Sequence, residues 1–310
     1  FFFQAEDVIR DSVASRGLGD VYKRQENTVV KTVAIMSPGD MGHSVGSVLR
    51  DNGFDVITCL EGRSSRTAAL AKKGNFRIVD SMEELVQSAD LILSILVPSR
   101  AKELAEEVSM VMKRSGHTCY FVDCNAISPR STRELENIIV AAGGKFIDGG
   151  IIGTAPAKGD TPRFYVSGPE SHVATELDGK GIIVKSVGSE NGQASGIKMC
   201  YAALTKGTNT LQVALLTAAE KMGLTDALRE EFQFSQQSQL SSMEKGISRL
   251  PANAHRWIGE MEEISSTFED LGVTPHFHMG AAEVYKLLNS TPFASVTPET
   301  IDQNRTVWET

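Results

Sequence analysis

Two stretches of this sequence have the residue types and spacing for chemistry. The first is Ser37-Pro38-Gly39-Asp40-Met41-Gly42, a short glycine turn between an apolar run and an amphipathic one. Turn glycines let a backbone approach a phosphate closely, and the helix that follows presents free N–H groups and a positive dipole end to it. Glu61 lies 22 residues beyond Gly39, the distance at which a dinucleotide site places a carboxylate on a ribose hydroxyl. Arg63, Ser64 and Arg66 follow at once and suit a 2′-phosphate instead. The first reading favours NAD and the second NADP; the three cationic or hydroxyl groups tip the expectation to NADP, with NAD kept open. The turn has serine where the G-x-G-x-x-G fingerprint has its first glycine, so on its own it carries little weight.

The second stretch is Asn191-Gly192-Gln193-Ala194-Ser195-Gly196-Ile197-Lys198. Gly192 and Gly196 admit a close neighbour, and a lysine desolvated in a crevice between domains loses basicity and becomes an acid or base near neutral pH. Read locally, Lys198 fits a solvated surface residue better. Two other groups stand out. His255, Arg256, Trp257, Glu260 and Glu263 fall within three helical turns and suit either a pocket wall or a salt-bridged helix start. His276 and His278 would share one side of an extended segment, but no Cys or carboxylate pattern accompanies them, so no metal is expected.

The elements that must position these residues alternate. A strand at Thr32 to Met36, a helix running to Asn52 and stopped by Gly53, and a strand at Asp55 to Leu60 open the series. Ser81-Met82-Glu83-Glu84 caps a helix, Asp90 to Val97 is a near-continuous apolar strand closed by Pro98, and a helix spans about Ala101 to Lys113. A strand at Thr118 to Asp123, a helix after Pro129 and a strand at Lys145 to Asp148 complete it. Such alternation predicts an α/β fold with a doubly wound, mostly parallel sheet. Ligands then bind beyond the carboxyl ends of the strands, at Ser37 to Gly42, Glu61 to Arg66, Val97 to Ser99 and Asp123 to Ser128. After Gly188 the pattern turns helical, beginning with a long helix to Met222 that Gly223 ends.

Composition narrows the class. The formal charge of −8 argues against a nucleic-acid partner. The apolar runs are too short to span a bilayer, and four cysteines without C-x-x-C pairs suit a reducing, cytoplasmic setting. Residues 1–27 differ in composition from the rest and read as a non-native or disordered segment.

Several segments, taken in order, resemble the β-hydroxyacid dehydrogenase family, relatives of 6-phosphogluconate dehydrogenase. Ile35 to Gly42 resembles its glycine turn ending in Met-Gly, and Gly62-Arg63-Ser64 its Asn-Arg-Thr. Asp123-Cys124-Asn125-Ala126-Ile127-Ser128-Pro129 resembles its Asp-x-Ser-Thr-x-x-Pro, Asp148 to Gly153 its Asp-Ala-Pro-Val-Ser-Gly, and Gly192 to Lys198 the segment bearing its catalytic lysine. The runs Lys198 to Gly207 and Ala254 to Glu263 look like the subgroup with a phosphogluconate-dehydrogenase-type C-terminal domain. The departures are Ser37 for glycine, Asn125-Ala126 for Ser-Thr, Ile152 for the substrate-binding serine, and Tyr201-Ala202 where asparagines usually follow the lysine.

The resemblance implies a Rossmann-type NAD(P)-binding domain over residues 28–188 and an all-helical substrate and dimerisation domain over 189–310. It implies reversible hydride transfer between the nicotinamide and a small hydroxy acid, with Lys198 as general acid/base. Ser37, Gly39, Asp40, Met41, Gly42, Glu61, Arg63, Ser64, Arg66, Val97 and Pro98 would hold the cofactor. Asn125 and the backbone of Gly150, Ile152 and Gly153 would hold a substrate carboxylate, since flexible glycines can converge N–H groups on an anion. The stripe Leu204, Leu211, Leu215, Ala218 would pack against a second subunit. Two rival readings are an imine reductase of related fold and a cofactor-binding sensor or scaffold that has lost turnover.

Overall fold

In the computed structural model, residues 30–296, 300–302 and 304–310 are described; the expectation for residues 1–27 lies outside them. Eight strands form one sheet in the order β3-β2-β1-β4-β5-β6-β7-β8. They are β1 (Thr32–Met36), β2 (Asp55–Cys59), β3 (Arg77–Val79), β4 (Leu91–Ser94), β5 (Tyr120–Asp123), β6 (Lys145–Ile152), β7 (Arg163–Ser167) and β8 (Ile183–Ser186). The first six are parallel, β7 runs antiparallel to β6, and β8 is parallel to β7. The strand order reverses between β1 and β4, the switch point beyond whose carboxyl ends such sheets bind ligands.

The helices of this half are α1 (Asp40–Asp51), α2 (Ser65–Lys73), α3 (Met82–Ser88), α4 (Ala101–Ser115), α5 (Pro129–Val140) and the short α6 (Ser171–Ala174). Period-two alternation along buried strands sends side chains to two cores. Ala34 and Met36 join Ile57, Ile92 and Phe121 on one face, while Val33 and Ile35 join Val56, Leu91 and Leu93 on the other. Both faces are covered, which is why the strands read as continuous apolar runs.

The helical half comprises α7 (Gln193–Lys221), α8 (Thr225–Ser235), α9 (Gln237–Gly246), α10 (Pro251–Asp270) and α11 (His276–Asn289). A third core there gathers Met199 and Val213 of α7, Met261 and Ile264 of α10, and Tyr285 of α11. His276 and His278 sit in the first turn of α11, so the extended geometry assumed for them does not exist.

Two strand boundaries differ from the sequence reading for visible reasons. The expected strand Asp90 to Val97 stops at Ser94, because the N–H of Leu96 turns to donate to Asn125 Oδ1. The expected strand at Lys145 to Asp148 runs on to Ile152 because β7, which the alternation did not show, pairs with it at Gly149↔Val166 and Gly150↔Tyr165. Glycine is needed there: a Cβ at Gly149 would lie 2.8 Å from the Asp123 carbonyl oxygen, and one at Gly150 2.9 Å from Lys198 Cβ.

Candidate active site

The glycine turn leads from β1 into α1. Ser37 holds φ at +56°, the left-handed conformation that the fingerprint's missing glycine would have supplied. Gly39 is the N-cap of α1 and no side chain caps the helix, so its first-turn N–H groups face outward. A Cβ on Gly42 would come within 3.2 Å of Ile35 Cγ2, which keeps this turn close against the sheet.

A cavity of about 460 Å³ opens over that helix end. Ser37, Gly39, Asp40, Met41, Gly42 and Val97 line one part, and Arg63, Ser64, Arg66 and Thr67 another. Ser64 caps α2 by accepting from the Thr67 N–H, and Arg66 pairs with Asp40 at 2.6 Å. Arg63 is mostly covered, 4.0 Å from Glu107, and its buried Nε has no partner among the described residues. An outward helix N-terminus at one end and guanidinium and hydroxyl groups at the other fit the pyrophosphate and ribose phosphate of a dinucleotide. Glu61 is exposed and is not among the residues that line the cavity, whereas its neighbours Gly62 and Arg63 are.

A second cavity, about 170 Å³, adjoins the first and shares Met41, Leu96, Val97 and Arg256 with it. Pro98, Gly153, Lys198, Lys206, Trp257 and Glu260 also line it. Lys198 Nζ donates to the Ile151 carbonyl at 2.9 Å and lies 3.9 Å from Glu260 Oε1. Lys206 donates to the same oxygen at 2.6 Å and lies 5.7 Å over the Trp257 ring. Desolvation brings the Lys198 ammonium down to about 8; the Glu260 charge opposes that shift and the Lys206 charge adds to it.

Lys198 is carried by α7, and β6 fixes where α7 begins. Asp148 accepts the N–H groups of Gly192 and Ser195 at 2.8 and 3.0 Å, and the hydroxyls of Ser167 and Ser195. A strand carboxylate thus satisfies the orphan donors of the helix that no local side chain caps. Glu263 ties α10 to the start of α5 by accepting from the Ser128 N–H at 2.7 Å and the Ser131 hydroxyl at 2.9 Å.

Of the residues expected to hold a substrate carboxylate, Gly153 lines the second cavity and Asn125, Gly150 and Ile152 do not. Asn125 is buried, with its amide donating to Ser94 Oγ at 2.8 Å and to Asp123, while its carbonyl oxygen takes the Leu96 N–H. All its groups serve a brace between the β4 and β5 loops. Gly150 and Ile152 lie within the β6–β7 ladder, Gly150 against α7, and neither lines the second cavity. Gly153 alone of that set does. His255 is exposed and outside both cavities. Sequence reasoning missed Lys206 as a site residue, although it lies two turns beyond Lys198 on the same helix.

A dinucleotide-type cradle thus adjoins a cavity that holds Lys198 and is lined in part by residues of the helical half. Residues 32–178 match the NAD binding domain of 6-phosphogluconate dehydrogenase, and residues 219–288 match a domain of unknown function (DUF1932). The two matches fall in order along the chain, the first over the sheet half and the second over the helical half. It is 28% identical over 192 residues to an uncharacterised 28.5 kDa protein of Methanothermus fervidus, covering 62% of this chain and 72% of that one. It is 25% identical over 195 residues to the mitochondrial 3-hydroxyisobutyrate dehydrogenase of Drosophila melanogaster, covering 63% of this chain and 58% of that one. The conserved protein MTH1747, of unknown function and structurally similar to 3-hydroxyacid dehydrogenases, superposes with a TM-score of 0.62 at 26% identity, over 83% of this chain and 96% of that one. Among the described residues no helix is long and apolar enough to cross a membrane.

Proposed function

We propose that this protein is an NADP-preferring dehydrogenase that interconverts a small hydroxy acid and its carbonyl acid, with Lys198 as general acid/base. The observation that carries this is Lys198 itself: a desolvated lysine, brought down to about 8, in the cavity that adjoins the cofactor cradle. A bound nicotinamide supplies the hydride acceptor or donor. Neutral Lys198 Nζ takes the proton of the substrate hydroxyl during oxidation, and the ammonium returns it to the carbonyl oxygen during reduction. The Ile151 carbonyl and Glu260 hold Nζ in the cavity, and the Trp257 ring shields the ion pair of Lys206. Preference for NADP is supported by Arg63, Ser64 and Arg66 lining the cradle while Glu61 does not.

The retained lysine favours the dehydrogenase over the imine reductase and the lapsed sensor. Screening short hydroxy acids, their keto acids and cyclic imines with each cofactor, read by nicotinamide absorbance, tests this. Hydroxy-acid turnover, better with NADP, is expected; cofactor binding without turnover, or turnover of imines alone, contradicts it. The substrate is a small molecule, and its site lies in a chain suited to a reducing cytoplasm, with Cys59, Cys119 and Cys124 buried as free thiols. A homodimer through α7 is part of the same proposal, because Leu204 and Leu211 stand 72% and 66% exposed on one apolar stripe.

A further inference from the structure

The second cavity contains an imbalance of charge that the reading above does not use. Lys206 and Glu260 neutralise each other at 2.6 Å, and Lys198 is held by the Ile151 carbonyl and lies 3.9 Å from the same carboxylate oxygen. Arg256 is different. It is exposed, it lines both cavities, and it has no hydrogen bond or ion pair to any described residue. It leaves α10 one residue before Trp257, on the helix that Glu263 ties to the start of α5.

The cofactor cradle already has a helix N-terminus and the guanidinium groups of Arg63 and Arg66 for its phosphates. Among the described residues lining the substrate cavity, Lys198 and Lys206 both face Glu260 while Arg256 faces no carboxylate, and three of the groups first assigned to a carboxylate are engaged elsewhere: Asn125 in its brace, Gly150 and Ile152 in the β6–β7 ladder. A guanidinium is a rigid, permanently charged fork whose geometry matches a carboxylate in two parallel hydrogen bonds. We propose that Arg256, reaching in from the helical domain, is the anchor for the substrate's carboxylate and so sets the protein's selectivity for anionic over neutral substrates. This rests on the reading of the Lys198 cavity as the substrate site. It moves anion recognition from the loops of the sheet to α10, and it places the anion and the reacting hydroxyl between two residues from different helices. A substrate held this way is small, because the cavity is about 170 Å³, and carries its acid group on the side away from Lys198.

The test is equilibrium binding to the full-length protein saturated with NADPH, which cannot accept a hydride from a hydroxy acid, using glycolate and 3-hydroxypropanoate as anionic probes and glycolamide as the neutral counterpart. Titration calorimetry on wild type, Arg256→Ala and Arg256→Lys measures each. Loss of a charge-assisted pair is expected to weaken both anions by about ten- to a hundredfold in Arg256→Ala. Arg256→Lys should recover part of that loss, and glycolamide and NADPH affinity should stay within about twofold of wild type. Anion affinity unchanged in Arg256→Ala overturns the assignment, as does failure of either anion to bind wild type. A fall in NADPH affinity with an unaltered anion-to-amide ratio also overturns it, placing Arg256 on a cofactor phosphate. No turnover enters these readouts, so an error about Lys198 shows separately, as a Lys198→Ala variant with a wild-type rate.

Discussion

Ser37 and Lys198 are the residues at which local energetics and function meet. A non-glycine residue in the left-handed region costs about 1 kcal/mol or somewhat more, so Ser37 stores strain at the cofactor turn. Ser37→Gly relieves it but gives the unfolded chain more freedom, and the balance is a gain of roughly 0.5–1 kcal/mol, readable by urea denaturation, with NADPH affinity retained. In the proposed mechanism Lys198 sets the pH dependence. With the neutral amine as the base, kcat/KM for oxidation should rise with pH through about 8, and the reverse reduction should fall through the same region. Glu260 pulls the lysine pKa upward, so Glu260→Gln should move that inflection to lower pH. An inflection that shifts upward or stays in place would show that Glu260 does not act on Lys198. The glycine turn was legible in local residue order, whereas Lys198 read locally as a surface residue and stood out only through the resemblance of Gly192 to Lys198. The pairing of Lys198 and Lys206 on Glu260 was not legible, since it joins residues 54 and 62 positions apart whose meeting only the packing of α7 on α10 determines.

At the scale of elements, the alternating β-α series was readable because both faces of the sheet are buried and the strands are apolar throughout. The β6–β7 pairing was not, because a ladder between Gly149-Gly150 and Val166-Tyr165 leaves no period-two signal on its glycine side. That pairing is what removes Gly150 and Ile152 from the anion site. The buried link between β6 and α7 is Asp148, whose carboxylate takes four donors from Ser167, Gly192 and Ser195. Asp148→Ala strands those donors in the interior, and a cost of about 3–5 kcal/mol is expected in chemical denaturation. Asp148→Asn, which keeps the volume and one acceptor, should cost less. Equal stability of all three proteins would mean that α7 is fixed by its apolar contacts alone.

For the whole molecule, the charge of −8 made a basic-patch ligand surface implausible from composition, and the proposed function requires local devices to receive anions. Those devices are the α1 N-terminus, Arg63 and Arg66 in the first cavity, and Arg256 and Lys198 in the second. The outer stripe of α7 is apolar along its length, and Ile197, Tyr201, Leu204 and Leu211 are exposed on it. A dimer closing over that stripe predicts about twice the 33.5 kDa chain mass by light scattering. Leu204→Glu with Leu211→Glu should return the monomer mass, and a wild-type monomer would remove the dimer from the account.

The most direct test of the central claim is a single-turnover measurement with Lys198→Ala, using a hydroxy acid confirmed with wild type and saturating NADP. The account predicts NADPH affinity close to wild type and a hydride-transfer rate lower by at least about a hundredfold, without the inflection near pH 8. A variant that binds cofactor and reduces it at the wild-type rate would show that Lys198 is not the proton acceptor.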